Sequence, residues 1–142
     1  MSPGAESGTP ADPGSNSANP EGERKVNRRE FGLVVDSVLA ELPDWVVDRI
    51  DNLVVVVEDR PNREQDPDGN GILGIYEGVS LADRDVDYFA YAPDHVTIFY
   101  RPHLELGLDD AGLRDEVRIT VLHEIGHHLG IDDERLHELG WG

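Results

Sequence analysis

The sequence predicts a single α+β domain carried behind a polar tail. Three observations lead to this fold class. Apolar residues recur at helical spacing between Arg28 and Leu42 and again between Asp109 and Gly130; three short runs of branched and aromatic residues lie between Leu53 and Tyr100; and the first 26 residues hold almost nothing apolar. At 142 residues the chain is long enough for one domain with a real core and too short for two comfortable ones.

Residues 1–26 are Gly, Pro, Ser, Ala and Asn with scattered charges, and cannot bury enough surface to offset their ordering entropy. They are expected to be a disordered tail, with the folded domain spanning 27–142. From Arg28 the spacing of Phe31, Val34, Val35, Val38, Leu39 and Leu42 predicts an amphipathic helix that Pro43 closes. Asp44 can cap a short second helix carrying Trp45, Val46, Val47 and Ile50. Leu53 to Val57 is a continuous branched-apolar run, the pattern of a buried central strand. Pro, Asp, Asn and Gly make Arg60 to Gly71 a loop, after which Ile72 to Tyr76 is a second strand. A mixed, polar connection leads to a third strand over His95 to Tyr100, with Val96, Ile98 and Tyr100 on one face. Asp109 or Asp110 opens a long helix whose buried stripe is Leu113, Val117, Val121 and Ile125, flanked by Leu122 and Leu129. Beyond Gly130 a further helix is expected to turn Leu136, Leu139 and Trp141 inward. No internal repeat is visible.

Composition narrows the chemistry. The formal charge of -18 and a single lysine, Lys25, exclude a phosphate-binding face, so neither nucleic acid nor an anionic membrane is an expected partner. The tail's acids (Glu6, Asp12, Glu21 and Glu23) are half offset by Arg24 and Lys25, so the acidity belongs to the domain. With no cysteine, any metal must be held by imidazole and carboxylate. No apolar leader or membrane-length stretch is present, and the expected location is the cytoplasm.

Inside the long helix stands His123-Glu124-Ile125-Gly126-His127, an HExxH arrangement. Positions i and i+4 are neighbours on a helix face, so two imidazoles can converge on one ion. Glu124 then stands one residue round, able to reach water at the metal without ligating it. Gly130 permits a left-handed turn that reverses the chain, and Asp133 three residues later offers a carboxylate as third ligand, giving HExxHxxGxxD. Such a site would hold one zinc ion per chain and use Glu124 as general base toward water at the metal. The bland reading makes Gly130 a helix cap, leaves the histidines solvated and has Asp133 begin a turn.

The segment 117–141, VRITVLHEIGHHLGIDDERLHELGW, resembles the active-site helix of the minimal, single-domain zincin-like metallopeptidases. The resemblance extends upstream through Leu42-Pro43, the strand Val54 to Glu58 with Asp59-Arg60-Pro61, Leu73 to Gly78, and Pro93 to Ile98, and so covers all but the tail. It implies an α+β zincin-like core with a small mixed sheet backed by helices, a zinc ion, and peptidase chemistry on a peptide or protein substrate. Two departures limit the likeness: the only methionine is Met1, so no Met-turn underlies the metal, and Asp133 stands where metzincins have a third histidine.

Other candidates compete for roles. Tyr100, Tyr76 and His128 are possible donors to an oxyanion, Tyr100 being the one carried forward. At i+5 from His123, His128 points away from the metal and is expected to be a partly buried helix residue. His137 and Glu138 are alternative third ligands. Asp66, Asp68, Asn70, Gly71 and Glu77 fit the ligand pattern of a calcium loop, with Leu73 at the apolar position. Strand-like flanks, where such a loop needs helices, and a composition that also suits a tight turn speak against calcium. A calcium-binding module and a zinc-stabilised interaction domain without turnover therefore stand as the alternatives to a peptidase. Substrate identity and oligomeric state are not encoded in any visible motif.

Overall fold

The structure, a computed structural model, describes residues 26–84 and 93–142. The expected tail lies outside the described residues except for Val26, which is buried in the core. Part of the polar connection before the third strand, residues 85–92, lies outside them as well.

Helix α1 spans Arg28–Ala40 and begins with a reciprocal cap: the Asn27 side chain accepts from the Glu30 N–H at 2.8 Å, and the Glu30 carboxylate accepts from the Asn27 N–H at 3.0 Å. Its buried face is Phe31, Val35 and Val38. Helix α2, Asp44–Arg49, follows Pro43 directly and plants Val46 in the core.

Strands β1 (Leu53–Glu58), β2 (Gly74–Glu77) and β3 (Asp94–Phe99) form one mixed sheet in the order β1-β3-β2. β1 runs parallel to β3 with Val55 beside Val96, and β2 runs antiparallel to β3 with Tyr76 beside Val96. Among the described residues the Leu53 to Val57 run is therefore an edge strand, where the sequence pattern predicts a central one. The centre is β3, of which only His95 is exposed. An unbroken apolar run signals two-sided contact, yet Val54 is 38% exposed, so the run marks β propensity more than burial.

The third strand stops at Phe99, one residue early, because Tyr100–Leu104 forms a short helix, α3, absent from the sequence expectation. Tyr100 continues the strand alternation, which hides the change, while Pro102 falls in the first helical turn, where a missing N–H leaves no intrahelical bond unmade.

Helix α4, Asp110–Leu129, matches the predicted long helix. Asp109 caps it by accepting from the Gly112 N–H at 2.8 Å, and Gly130 closes it in the left-handed conformation at φ 84°. Leu113, Val117, Val121, Leu122 and Ile125 are all buried. α4 packs on α1 and lies across β2 and β3, so its second half is held against the sheet. Helix α5, Asp133–Glu138, starts from an Asp132 cap on the Arg135 N–H and seats Leu136 in the core. The expected α+β core, a small mixed sheet backed by helices, is what the chain forms. Among the described residues no helix is long and apolar enough to cross a membrane.

Candidate metal centre

The last turns of α4 carry the chemistry. His123 and His127 present their rings to one another, centroids 4.6 Å apart at 74°, and Glu124 lies between them in sequence with its side chain largely buried. One donor atom from each of His123, Glu124 and His127 lies within 4.8 Å of the other two, and no other such group of three exists among the described residues.

Each ring is held differently. His123 Nδ1 is 2.9 Å from the Trp141 carbonyl oxygen, and since a carbonyl can only accept, the proton belongs on Nδ1 and the lone pair on Nε2. His127 meets a carboxylate at both nitrogens: Glu124 Oε1 at 3.2 Å from Nδ1 and Asp133 Oδ1 at 3.0 Å from Nε2. The hydrogen bond to Glu124, aided by Asp133 and opposed by partial burial, pushes the His127 pKa up to about 9. The same contact with His127 holds the exposed Asp133 carboxylate below its ordinary range.

Zinc suits this donor set. Two donors bound tetrahedrally at about 2.0–2.1 Å lie roughly 3.3 Å apart, close to the 3.0 Å between His127 Nε2 and Asp133 Oδ1. The site also concentrates negative charge, with the Glu124 and Asp133 carboxylates at the two nitrogens of His127. Imidazole nitrogen with carboxylate oxygen, and an outer hydrogen bond orienting His123, is the donor chemistry zinc accepts. Asp133 joins this arrangement through His127 and stands outside the tightest group.

Two glycines make the geometry possible. At Gly126, inside the motif, a Cβ would collide with Leu136 Cδ2, so the missing side chain lets α5 lie directly against α4. At Gly130 the positive φ reverses the chain, and a Cβ would also strike Ala82 of the 3₁₀ turn Leu81–Asp83. Asp133 reaches His127 because both positions lack side chains.

The remaining candidates are engaged elsewhere. Tyr100 is buried; its hydroxyl donates to the Val26 carbonyl at 2.6 Å and its ring meets Phe31 edge-on. Tyr76 donates to Asp94 Oδ2 at 2.5 Å. His128, expected to be partly buried, is fully buried: Nδ1 lies 3.1 Å from Asp94 Oδ2, and Nε2 accepts from the Asp51 N–H at 3.2 Å. Burial keeps its pKa below the ordinary value against the pull of Asp94. Arg84 also donates to Asp94 Oδ2 at 2.7 Å, so Asp94 ties β3, β2, the 3₁₀ turn and α4 together. Burial works against its charge, but the three donors hold its pKa down. His137 and Glu138 are exposed, and Glu138 pairs with Arg135.

In the 66–77 loop the Asp66 carboxylate accepts from the backbone N–H groups of Asn70, Gly71 and Ile72 at 2.9, 2.8 and 3.4 Å, led by Asn70 in lowering its pKa. Glu77 bonds to the Gln65 amide at 3.2 Å. Asp66, Asp68 and Glu77 do not converge as a metal-ligand group, and strands β1 and β2 flank the loop where a calcium hand has helices. The loop is a carboxylate-stapled turn, and its acidic pattern is explained by turn geometry.

Sequence reasoning missed the Trp141 carbonyl and the Asp94–Arg84 pair. The first is a backbone atom without a compositional signature; the second joins residues whose types alone do not announce a partnership.

A helix-borne His-Glu-His group over a small mixed sheet is the arrangement of a zincin-like core, and the group could hold a metal ion. The family model for zincin-like metallopeptidases matches residues 50–141, and the chain belongs to that family. No curated protein matches. Among solved structures, a conserved hypothetical protein from Thermo thermophilus is similar at 23% identity and a TM-score of 0.49, over 80% of this chain and 99% of that one.

Proposed function

We propose that this chain is a zinc-dependent peptidase acting on peptide or protein substrates in the cytoplasm, with Glu124 as general base and His123, His127 and Asp133 as the metal ligands. The observation that carries the reading is the convergence of His123, Glu124 and His127 within 4.8 Å at one end of α4. Zinc bound there would polarise a scissile carbonyl and lower the pKa of water towards about 7.

The chain's own groups supply the rest. The Glu124 carboxylate, 8% exposed and 3.2 Å from His127 Nδ1, is positioned to take the proton of the attacking water and pass it to the leaving amine. The Trp141 carbonyl keeps the proton of His123 on Nδ1. Among the described residues β2 has a strand on one side only, and at its Gly74 a Cβ would lie 3.4 Å from Glu124 Cγ. An extended peptide added along β2 would therefore run past the general base, with backbone hydrogen bonds providing affinity.

Metal content and hydrolysis test this reading together. Protein purified without chelator should carry about one zinc per chain, and His123→Ala should lose it. Glu124→Gln should keep the zinc and lose about 10²–10⁴-fold in peptide hydrolysis, the scale of general-base catalysis. Wild-type protein that takes up no zinc when zinc is supplied would overturn it. Zinc binding with no peptide hydrolysis by the wild-type protein would leave only the zinc-stabilised interaction domain, and hydrolysis unchanged by Glu124→Gln would remove Glu124 as the base.

A further inference from the structure

The two histidines of the site differ in what orients them. His127 is held by side chains next to it on α4 and at the start of α5, whereas His123 is held by a backbone carbonyl from beyond α5. That carbonyl belongs to Trp141, in a segment with little regular structure of its own. After α5, Gly140 adopts φ 79°, the Trp141 N–H returns to the Leu136 carbonyl at 2.9 Å, and the backbone then crosses the His123 ring. At Gly142 a Cβ would lie 3.4 Å from His123 Nδ1 and 3.6 Å from Cε1.

A segment of this length keeps its direction only if a side chain anchors it. The anchor is the Trp141 indole, 6% exposed, stacked on the Trp45 indole of α2 with centroids 5.7 Å apart at 12°. Trp45 is itself 40% exposed; its backbone is held by the neighbouring Val46, which is fully buried, and the Arg49 guanidinium lies 5.5 Å from its ring centroid. An unbroken physical chain thus runs from α2 through two indoles to the Nδ1–H of a proposed metal ligand.

We infer that Trp45 and Trp141 are positioning residues for the metal site: their stack fixes the Trp141 carbonyl, which fixes the tautomer and ring orientation of His123 and so presents Nε2 as a zinc donor. The inference rests on the proposed zinc reading for its consequence, and on geometry alone for the state of the ring. Outer hydrogen-bond partners of metal-bound histidines typically contribute 10–100-fold to metal affinity, and loosening this one from a distance should fall near the lower end.

The test reads the ring first, without metal. Two-dimensional ¹H–¹⁵N NMR of the histidine side chains in zinc-free protein should show His123 as the Nδ1–H tautomer. Trp45→Ala and Trp141→Ala should each convert it to a mixture containing Nε2–H, while His103, whose Nδ1 faces the Phe99 carbonyl at 2.7 Å, stays unchanged as an internal reference. Zinc affinity measured by chelator competition should fall about tenfold in both variants, and Trp45→Phe, which keeps an aromatic face, should restore most of it. Should Trp45→Ala fail to fold, Trp45→Leu replaces it, keeping apolar cover without the stack. A His123 tautomer and zinc affinity that survive loss of the stack would overturn the inference. A tautomer that responds in a protein unable to bind zinc would uphold the positioning and sink the zinc reading instead.

Discussion

Gly126→Ala separates helix propensity from close packing within the motif. On an isolated helix the change should stabilise, since alanine is favoured over glycine by about 0.8–1.0 kcal/mol. Here the added Cβ meets Leu136 Cδ2, and because Leu136 is fully buried, no neighbouring rotamer offers an escape into solvent. Overpacking of this kind costs about 1–3 kcal/mol, so the net expectation is a loss of up to about 2 kcal/mol. Leu136→Ala alone should cost about 2–5 kcal/mol through the cavity it leaves. In the double variant the new methyl occupies part of that cavity, so the two losses should sum to less than their separate values by at least about 1 kcal/mol. Urea unfolding followed by the fluorescence of Trp45 and Trp141 provides the four stabilities of the cycle. Gly126→Ala at or above wild-type stability, or losses additive within about 0.5 kcal/mol, would refute the argument that this glycine exists to admit α5.

Further expectations follow from the same packing. Asp94→Asn should cost about 1–3 kcal/mol in urea unfolding, because it removes the buried charge to which Arg84 and Tyr76 donate and leaves Arg84 with the exposed Asp51 as counter-charge. Gly130→Ala should destabilise by about 1–2 kcal/mol from its left-handed backbone alone, with the Ala82 contact adding to it; thermal unfolding checks this. His103 is neutral in the fold because burial lowers its pKa from 6.5, outweighing its Phe99 hydrogen bond. The unfolded chain therefore binds the extra proton, so this contribution is complete above about pH 6.5 and declines as pH falls towards the depressed native value. Stability measured from pH 7.5 to 5 should fall less steeply in His103→Gln than in wild type. Asp66→Asn should leave zinc content unchanged, and added calcium should not raise the melting temperature of the wild-type protein, since Asp66, Asp68 and Glu77 do not converge as a ligand group.

Much of this architecture was legible because it depends on local spacing. α4 appeared from its stripe and its Asp109 and Gly130 boundaries, and the shared face of His123 and His127 followed from their four-residue interval. What escaped was set by distant parts of the chain. Whether Leu53–Glu58 is an edge or a centre depends on where β3 pairs, which no property of LVVVVE encodes. The turn from strand to helix at Tyr100 was hidden because an aromatic residue fits either element. His128 reads as an ordinary helix histidine until Asp94 and the Asp51 N–H are brought to its two nitrogens. The Trp141 carbonyl has no side-chain identity at all, so only the tryptophan that anchors it could have drawn notice.

Helix α5 has a mechanical consequence. Asp133 stands at its first residue, Trp141 just past its last turn, and Leu136 between them is pressed into the notch left by Gly126. These six residues, about 9 Å long at the usual helical rise, carry a contact to a different imidazole at either end: the Asp133 carboxylate to His127 and, just past the last turn, the Trp141 carbonyl to His123. The two imidazoles, though they belong to α4, are both tied to one short helix that is wedged at its middle.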